Sequence, residues 1–465
     1  ARLGEFMKKL YINEILYAVN GELLSGFDRT LIDSVSINSR EIKNGALFVP
    51  IKGENVDGHK FIEEAFAAGA VATLTSEHNS TESDKIYIKV KDTKIALQQL
   101  AAYYRRKFKI PVVGITGSVG KTSTKEMIFS VLSAKFNVHK TAGNLNGQIG
   151  LPLTIFGIEP CHDVAVVEMG ISEFDEMATL SETAAPTCAV MTNIGVTHIE
   201  NLHTKENIFK EKFKITNSLN KSDYLFINGD DEVLSKTQNS YRFNVVSFGI
   251  KNSCNFTARN VFYENEATTF EVLCDGNCLN FKIPTIGEHH VYNALAAIAI
   301  GLSMGMDVRE IQVGLSRFKN VEMRQSIHYL DGVTLIDDSY NANPDSMKSA
   351  LKVLAQVAKS GRKIAVLADM LELGEMARQL HFEVGIFAAQ LGVDILITVG
   401  ELAKFISDGA ISFNKNIVSY SFSSNEEALD RLKVVTRIGD SILVKGSRGM
   451  HMEEISQKVV SLYKK

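Results

Sequence analysis

Short apolar runs alternate with longer helical patterns through the middle of the chain. Four of these runs have the length of buried strands, and helical patterns separate them: 110–116, 164–167, 188–191 and 224–227. Strands that are apolar on both faces and alternate with helices are typical of a mainly parallel sheet that is covered on both sides. The pattern therefore predicts a central α/β domain.

The same alternation starts afresh after about residue 320. The apolar runs of this second series lie at 333–337, 363–367, 394–399 and 441–444. They predict a Rossmann-like, doubly wound sheet, in which ligands bind at the carboxyl ends of the strands. Polar residues stand at the ends of three of these runs, namely Asp337 and Asp338, Asp369, and the segment 445–448.

The elements before residue 109 are shorter and mixed. A strand-like segment at 46–50 leads into a glycine-bearing loop at 52–59, and a helix with apolar residues follows. A length of 465 residues exceeds one ordinary domain and favours about three. We therefore predict an α/β protein with a mixed α/β domain at 7–108, a central mainly parallel sheet at 109–320 and a C-terminal doubly wound domain at 321–465. The six residues before Met7 are interpreted as a cloning remnant.

Composition and charge exclude several classes of protein. Apolar residues make up 45% of the chain and the net charge is −4, so nothing indicates a nucleic-acid or anionic-membrane partner. Five cysteines without a CxxC pair predict free thiols in a reducing compartment. No segment reaches the roughly 20 apolar residues of a membrane-spanning helix, and no signal peptide is recognisable. We expect a cytoplasmic protein.

A glycine-rich segment, 116–122, links the first central strand to a helix. Its glycines let successive N–H groups face one anion, and the helix dipole favours negative charge there. Lys121 is suited to neutralise β- and γ-phosphates, and Thr122 offers a hydroxyl to Mg²⁺. Ile115 occupies the first glycine position of the GxxxxGK[ST] template, so a turn without a ligand is the alternative. The strand before and the helix after favour ATP binding by Gly117, Ser118, Gly120, Lys121, Thr122 and Ser123.

Two polar residues follow neighbouring strands of the predicted central sheet. Glu168 comes directly after the run 164–167, and His198 closes the segment 192–198. Each residue alone is more often a surface or helix-capping residue. Together, beside a phosphate loop, they predict a ligand site, because ligands collect at the carboxyl ends of parallel strands.

The phosphate loop has the form T-G-[ST]-x-G-K-[ST], which resembles that of the Mur ligases and the folylpolyglutamate synthases. The resemblance to Mur ligases covers nearly the whole chain from Met7. The segment from Ser39 and Arg40 to His59 is similar to the Mur ligase domain that holds uridine diphosphate, which the synthases lack. The resemblance implies a UDP-sugar-binding domain with Ser39 and Arg40 in the site, and it places Thr141, Asn144 and Asn146 near the nucleotide sugar.

The resemblance also assigns residues to ATP and to two Mg²⁺ ions. Glu168 and His198 match metal ligands, and the segment 206–212 resembles one whose final lysine, here Lys212, is carbamylated and holds metal. From the residues alone, that segment is a charged helix surface. His290 stands where the family has a base-binding asparagine. Four further groups match family positions: Asn293 at the nucleotide base, Arg324 near the phosphates, Asp338 at the ribose, and Tyr340, Asn341 and Asn343 in the closed site.

The last third distinguishes between branches of the family. The amino-acid-adding branch carries a D-N-P-R motif, which this chain lacks, whereas 367–374 and 444–448 resemble the branch that adds a dipeptide. The implied reaction joins D-alanyl-D-alanine to UDP-N-acetylmuramoyl-tripeptide through an acyl phosphate, with Lys121, His198 and Lys212 as the catalytic residues. Closure of the last domain is expected to assemble the site of a monomer. The alternatives are another Mur-type ligase and an ATP-binding scaffold without activity.

Overall fold

The computed structural model describes residues 7–79, 84–237, 241–264, 266–358 and 361–464. The predicted cloning remnant at 1–6 lies outside these ranges. Three larger sheets and one two-stranded sheet make up the architecture, and their apolar residues form the buried cores between sheets and helices. An α/β protein is what the alternating pattern predicts, and this prediction is confirmed. The domain boundaries at 108/109 and 320/321 stay predictions.

The first sheet has five strands in the order β2-β7-β6-β5-β4, and β1 pairs with β3 beside it. Its helix α3 (Thr93–Arg105) packs against helices α5 (Gly150–Phe156) and α6 (Glu176–Ala184) of the central part. Buried Arg105 at the end of α3 reinforces this contact, because its guanidinium donates to the carbonyl oxygens of Ala184 at 2.9 Å and of Ile110 at 3.0 Å. The elements are β1 (Leu10–Tyr11), α1 (Ile12–Val19), β2 (Glu22–Ser25), β3 (Leu31–Ile32), β4 (Ser34–Ser36), β5 (Ala46–Phe48), α2 (Ile62–Ala67), β6 (Ala70–Thr75), β7 (Ile86–Lys89) and α3 (Thr93–Arg105).

The central sheet has nine strands in the order β16-β15-β14-β13-β12-β11-β8-β10-β9. The four predicted strands, β8, β10, β11 and β12, are present and pair in parallel, as predicted. Parallel pairing also extends to β9, β13 and the β13–β14 pair, and the pairs β14–β15 and β15–β16 are antiparallel, none of which the sequence pattern predicted. The elements are β8 (Val112–Thr116), α4 (Lys121–Leu132), β9 (Val138–Lys140), α5 (Gly150–Phe156), β10 (Val164–Glu168), α6 (Glu176–Ala184), β11 (Cys188–Met191), α7 (Ile199–Leu202), α8 (Lys205–Phe213), β12 (Tyr224–Asn228), β13 (Asn244–Gly249), β14 (Phe256–Glu264), β15 (Ala267–Cys274), β16 (Asn277–Ile283), α9 (Glu288–Ser303) and α10 (Val308–Ser316).

The C-terminal sheet has six strands in the order β17-β18-β22-β19-β20-β21. The four predicted strands are present and parallel, and the structure adds β17 and β21 at the two edges. The elements are β17 (Ser326–Tyr329), β18 (Thr334–Asp337), α11 (Pro344–Val357), β19 (Lys363–Ala368), α12 (Ala377–Gln390), β20 (Ile395–Val399), α13 (Lys404–Phe413), β21 (Val418–Phe422), α14 (Asn425–Val435), β22 (Ser441–Lys445) and α15 (Glu453–Tyr463).

Two expectations from composition concern thiols and membranes. All five cysteines are free thiols, as predicted. Among the helices in the described ranges, we find none with the length and apolar character that crossing a bilayer requires.

Helices α12 and α13 pack at a distance that only glycine permits. A β-carbon on Gly385 would overlap the carbonyl oxygen of Ile406, and one on Gly409 would overlap that of Phe382. We expect Gly385→Ala to destabilise the C-terminal domain by about 1–3 kcal/mol, because the backbones must move apart. Calorimetric unfolding measures this. Gly147→Ala, whose β-carbon meets no atom within 4 Å, is the control, and an equal effect of both substitutions would contradict the packing argument.

Candidate functional site

A cavity of about 820 Å³ separates the polar end of the central sheet from the C-terminal part. The phosphate loop, the ends of β10 and β11 and the start of α9 line one side of it. The loop after β18, the first turn of α11 and Lys445 line the other side. Most of the predicted site residues therefore meet in one space, although they are up to about 230 residues apart along the chain.

The phosphate loop is shaped by glycine conformations and by the residues that follow β11. Gly117 has a φ of 151° and Gly120 a φ of 83°, and α4 begins directly after Gly120. Asn193 supports the loop, because Ser118 N donates to its carbonyl oxygen at 3.0 Å and Val119 N to its side-chain oxygen at 2.8 Å. The sequence pattern did not indicate this role of Asn193, although the residue lies in the segment 192–198 that leads to His198.

Lys121 reaches back over the loop that it follows. Its ammonium group donates to the carbonyl oxygen of Gly117 at 2.8 Å and lines the cavity. Burial lowers the pKa of Lys121 and the nearby Arg324 adds to this effect, whereas the carboxylate of Glu168 opposes it. The ammonium group thus lies over the loop, where a bound phosphate can replace the Gly117 carbonyl oxygen as its partner.

Glu168 offers an oxygen that is suited to a divalent cation. Parallel pairing of β10 with β8 brings Glu168 beside Ile115, next to the phosphate loop. One carboxylate oxygen accepts from Asn146 Nδ2 at 2.7 Å. The other, Oε2, is buried without a hydrogen bond from any described residue, and the ammonium group of Lys125 is 3.8 Å away. Such a buried carboxylate oxygen without a hydrogen bond fits Mg²⁺, which prefers oxygen ligands.

His198 also lines the cavity, but its nearest charged partner is on the C-terminal side and is not Glu168. Its Nδ1 lies 2.7 Å from Glu372 Oε2 of the C-terminal part. Among the described residues, Glu168 and His198 do not form a group with a third histidine, cysteine or acidic residue whose ligand atoms all lie within 4.8 Å. Since Mg²⁺ keeps several waters and binds substrate phosphates, such a sparse protein set still fits it.

Lys212 is the buried lysine of helix α8. Its side chain is 1% exposed, and we find no hydrogen bond or ion pair for it within the described ranges. Burial holds the pKa of Lys212 well below its usual value, and the charge of Lys121 acts in the same direction against Glu211 and Glu176. Its side chain does not line the cavity itself.

The neighbouring lysines behave differently from Lys212. Lys210 is 65% exposed and pairs with Glu206 at 2.7 Å, while Lys214 pairs with Asp175 and Glu211. Lys205 lines the cavity. Burial therefore distinguishes Lys212 from the other lysines, which the residue pattern alone did not.

The start of α9 has unsatisfied polar groups. Asn293 accepts a hydrogen bond from Thr124 at 2.8 Å, but its Nδ2 has no partner among the described residues. His290 is buried with both ring nitrogens lacking described partners, and burial holds its pKa well below the ordinary value. A neutral imidazole beside a free amide donor can serve the edge of a nucleotide base.

The loop after β18 is held by Lys445, which the sequence indicated only as part of the polar segment 445–448 at a strand end. Lys445 is buried, and its ammonium group lies 2.6 Å from Asp338 Oδ2 and donates to Asn341 O at 2.8 Å. The guanidinium of Arg324 stacks over the Tyr340 ring at 4.1 Å. Lys445 stands at the end of a parallel strand, and this position was the signal in the sequence that could have indicated its role.

Asn343 connects the two sides of the cavity. Its side chain caps helix α11 through Ser346 N and donates to Thr197 Oγ1 at 3.0 Å. Thr197 precedes His198 in the central part. Asn144, Asn146 and Ser123 line the same cavity, as do Thr122 and Asn341.

Three predicted substrate residues lie elsewhere. Ser39 donates to Glu64 at 3.2 Å in the first domain, and Arg40 beside it is exposed. Thr141 is buried, and its hydroxyl accepts from the backbone N–H of Glu168 at 2.9 Å. The structure therefore separates Ser39 and Arg40 from the cavity, and it gives Thr141 a contact that orients Glu168.

Comparison with known proteins gives matches along the chain. Three family descriptions match: "Mur ligase family, catalytic domain" at residues 31–105, "Mur ligase middle domain" at 115–301 and "Mur ligase, glutamate ligase domain" at 321–448. A UDP-N-acetylmuramoyl-tripeptide--D-alanyl-D-alanine ligase from Bacillus subtilis is 39% identical over 98% of this chain and 99% of that protein. One from Escherichia coli is 35% identical over 97% of this chain and 98% of that protein.

Solved structures give the same result for the fold. A crystal structure of MurF from Acinetobacter baumannii matches with a TM-score of 0.89 and 28% identity, covering 98% of this chain and 99% of that one. The MurF ligase from Thermotoga maritima, solved in complex with ADP, matches with a TM-score of 0.82 and 29% identity, covering 91% and 96%.

Proposed function

The chain belongs to the Mur ligase family, and from this membership and its cavity we infer that it is an ATP-dependent ligase that joins D-alanyl-D-alanine to UDP-N-acetylmuramoyl-tripeptide. The observation that carries this proposal is the cavity, in which a phosphate loop with Lys121 faces Arg324 and Asp338 of the C-terminal part. The product is a precursor of peptidoglycan.

The amide bond forms in two steps. The tripeptide carboxylate attacks the γ-phosphorus of ATP, the bond to the bridging oxygen breaks, and an acyl phosphate and ADP form. The dipeptide amine then attacks the acyl carbonyl, the bond to phosphate breaks, and the nitrogen loses a proton. Positioning and electrostatic stabilisation supply most of the catalysis in such phosphoryl transfers.

The phosphate loop and the C-terminal motif share the work of holding ATP. Lys121 faces the phosphates, and the loop from Gly117 to Thr122, with Ser123, surrounds them. The free Nδ2 of Asn293 supports a contact with the base. We assign the ribose to Asp338, whose carboxylate Lys445 orients. Arg324, Tyr340 and Asn341 complete the nucleotide site from the C-terminal side.

We assign Mg²⁺ to Thr122, Glu168, His198 and a carbamate on Lys212. When bound, Mg²⁺ neutralises phosphate oxygens and orients them for displacement. The free Oε2 of Glu168 supports this assignment. The depressed pKa of Lys212 supports the carbamate, because only a neutral amine attacks CO₂. In that reaction a new N–C bond forms and one proton is released to water.

We assign the UDP-linked substrate to two separate parts of the molecule, the cavity and the first domain. Asn144, Asn146 and Asn343 line the cavity where the tripeptide carboxylate must arrive. Ser39 and Arg40 lie in the first domain and are assigned to the uridine diphosphate. We propose that the chain works as a monomer and in the cytoplasm, where ATP is supplied.

The choice of acceptor tests this function most directly. We expect efficient phosphate release with D-alanyl-D-alanine and very little with D-alanine, lysine or diaminopimelate. A dipeptide places its carboxylate one residue farther from the amine than a single amino acid does. Good alignment of the two reactants can lower the activation free energy by about 7–11 kcal/mol, and a poorly positioned amine loses much of this reduction. Tripeptide precursors ending in lysine and in diaminopimelate are both assayed, with mass spectrometry of the products.

Each result of this panel has a defined meaning. A single amino acid that reacts faster than the dipeptide would make the chain a different Mur-type ligase. Failure to release phosphate with every combination, while ATP still binds, would favour the scaffold alternative. Omitting each substrate in turn is the control for uncoupled ATP hydrolysis.

A further inference from the structure

A second lysine of helix α4 is buried about one helical turn after Lys121. Lys125 is 1% exposed, and its side chain does not line the cavity. Residues four apart on an α-helix are neighbours on one face, so Lys125 lies on the face of α4 that carries Lys121. The reaction described above gives this buried cation no task.

Three groups lie around the ammonium group of Lys125. It donates to the carbonyl oxygen of Thr141 at 3.0 Å, and Glu126 Oε1 is 3.2 Å away. Glu168 Oε2 is 3.8 Å away, which is too far for a hydrogen bond. The one hydrogen bond that the described structure gives the Lys125 side chain therefore goes to the backbone of Thr141.

Thr141 is the first residue of the loop between β9 and α5, residues 141–149. We call it the substrate loop, because its residues Asn144 and Asn146 line the cavity and are assigned to the UDP-linked substrate. The loop contacts Glu168 twice: the Thr141 hydroxyl accepts from Glu168 N at 2.9 Å, and Asn146 Nδ2 donates to the carboxylate at 2.7 Å. The position of Thr141 therefore affects both substrate residues and Glu168.

The start of the substrate loop is held from two directions. On the side of the sheet, Thr141 N donates to Val166 O of β10 at 3.1 Å. On the side of α4, Lys125 binds the carbonyl oxygen of Thr141, and Glu126 pairs with Lys140, the last residue of β9. Two consecutive residues of α4 thus tie the loop to the helix that begins at the phosphate loop.

Stability alone does not explain a lysine at this place. Replacing a buried ion pair by apolar side chains of similar volume is often neutral or stabilising. Met127 and Ile128 on the same helix are fully buried and fill core space without a charge. What Lys125 adds is a hydrogen-bond donor that reaches a carbonyl oxygen of the substrate loop.

We propose that Lys125 is a positioning residue: its ammonium group fixes the Thr141 carbonyl and thereby holds the substrate loop in register with the phosphate loop, so that the substrate carboxylate meets the γ-phosphate. Lys125 does not line the cavity and acts through the loop. This inference rests on the proposed ligase function, through the assignment of Asn144 and Asn146 to the UDP-linked substrate.

A split between the two substrates tests the proposal. Lys125→Met keeps the length of the side chain and removes its donor. We expect kcat/KM for UDP-N-acetylmuramoyl-tripeptide to fall by about 100-fold, the effect that a misplacement of about 1 Å can have on aligned reactants. The Kd of a non-hydrolysable ATP analogue should stay near that of the wild type, because Asn193 and the glycine conformations hold the phosphate loop.

The matched control is Lys135→Met. Lys135 also donates to a backbone carbonyl oxygen, that of Gly305 at 2.7 Å, and lies 3.0 Å from a glutamate, Glu310. Neither partner belongs to the substrate loop, so we expect wild-type kinetics. Equal losses of kcat/KM in the two lysine variants would overturn the proposal. So would a loss of ATP-analogue affinity in Lys125→Met as large as its loss of kcat/KM.

A second measurement reports on the substrate loop without turnover. Hydrogen–deuterium exchange reveals local opening of the backbone. Exchange in Lys125→Met should be faster within residues 141–149 and unchanged in strand β8. Faster exchange throughout the central part would indicate a role in stability alone and would contradict the proposal. Unchanged exchange in the loop would contradict it as well.

The failure of this inference differs from failure of the proposed function. Wild-type chain that forms no ADP with both substrates would contradict the ligase function. Wild-type chain that turns over, together with wild-type kcat/KM and loop exchange in Lys125→Met, would contradict the role of Lys125 alone. If the methionine variant does not fold, Lys125→Gln, whose side chain is uncharged and one atom shorter, is measured in the same way. Wild-type behaviour of that variant would overturn the proposal.

Discussion

Replacing Lys121 by alanine is expected to lower the ligation rate by at least about 10³-fold, the lower end of what one cation contributes to phosphoryl transfer. The ammonium group of Lys121 lies over the phosphate loop, where it donates to Gly117 O at 2.8 Å. Charge spreads over the oxygens of the transferred group during the reaction, and alanine leaves that charge without its cation. Coupled measurement of ADP formation and of the ligated product gives the rate.

The fold of the Lys121→Ala variant should be intact. The one hydrogen bond that the described structure gives the Lys121 side chain is to the Gly117 carbonyl oxygen, and removing a partly buried charge relieves a desolvation cost. We therefore expect a thermal midpoint equal to or above that of the wild type. Lys135→Ala is the control, because Lys135 is a surface lysine that pairs with Glu310 at 3.0 Å. Turnover of Lys121→Ala within tenfold of the wild type would refute the role of this lysine.

Replacing Lys212 by alanine is expected to lower activity by at least about 100-fold, since loss of a metal ligand should cost no less than loss of its supporting partner. The side chain is buried, and the low pKa of Lys212 favours the neutral amine that takes up CO₂. Alanine cannot form the carbamate. A small carboxylate such as formate, added to the buffer, should restore part of the activity by occupying the vacated anion position.

Lys210→Ala is the matched control for Lys212. Lys210 lies on the same helix but is exposed and paired with Glu206, so activity should stay near that of the wild type. Removal of dissolved CO₂ should lower the activity of the wild-type chain and leave Lys212→Ala unchanged. An unmodified amine at Lys212 in a well-ordered crystal with Mg²⁺ and nucleotide bound would count against the carbamate. Mass spectrometry in acid does not decide the question, because carbamates are labile.

Local patterns determined the framework of the protein. Consecutive apolar residues predicted four parallel strands in each of the nine-stranded and six-stranded sheets, because a strand that is buried on both faces has few polar residues. Glycine spacing followed by Lys121 predicted the phosphate loop, since the required conformations are properties of a few adjacent residues. The strands β14 to β16 were missed, because exposed and half-buried residues interrupt their buried positions and so prevent a consecutive apolar run.

The substrates were assigned from the resemblance to a family, because neither the composition nor the periodicity of apolar residues identifies a substrate. It singled out Lys212 among several lysines of one charged segment. The structure adds a physical difference between them, because only packing determines which ammonium group loses its water. The hydroxyl of Thr141 is similar: sequence placed it near a substrate, whereas the paired strands bring it to the backbone of Glu168.

Contacts between distant segments were decided by the tertiary structure. Asn193 supports a loop more than 70 residues before it, and Lys445 orients Asp338 from 107 residues away. Glu372 meets His198 from a different domain. In each case the sequence determined which side chain is present and which strand it follows. The order of the strands within the sheets and the packing of the sheets decided which groups meet. Hydrogen bonds act over about 3 Å, whereas sequence patterns describe only neighbours along the chain.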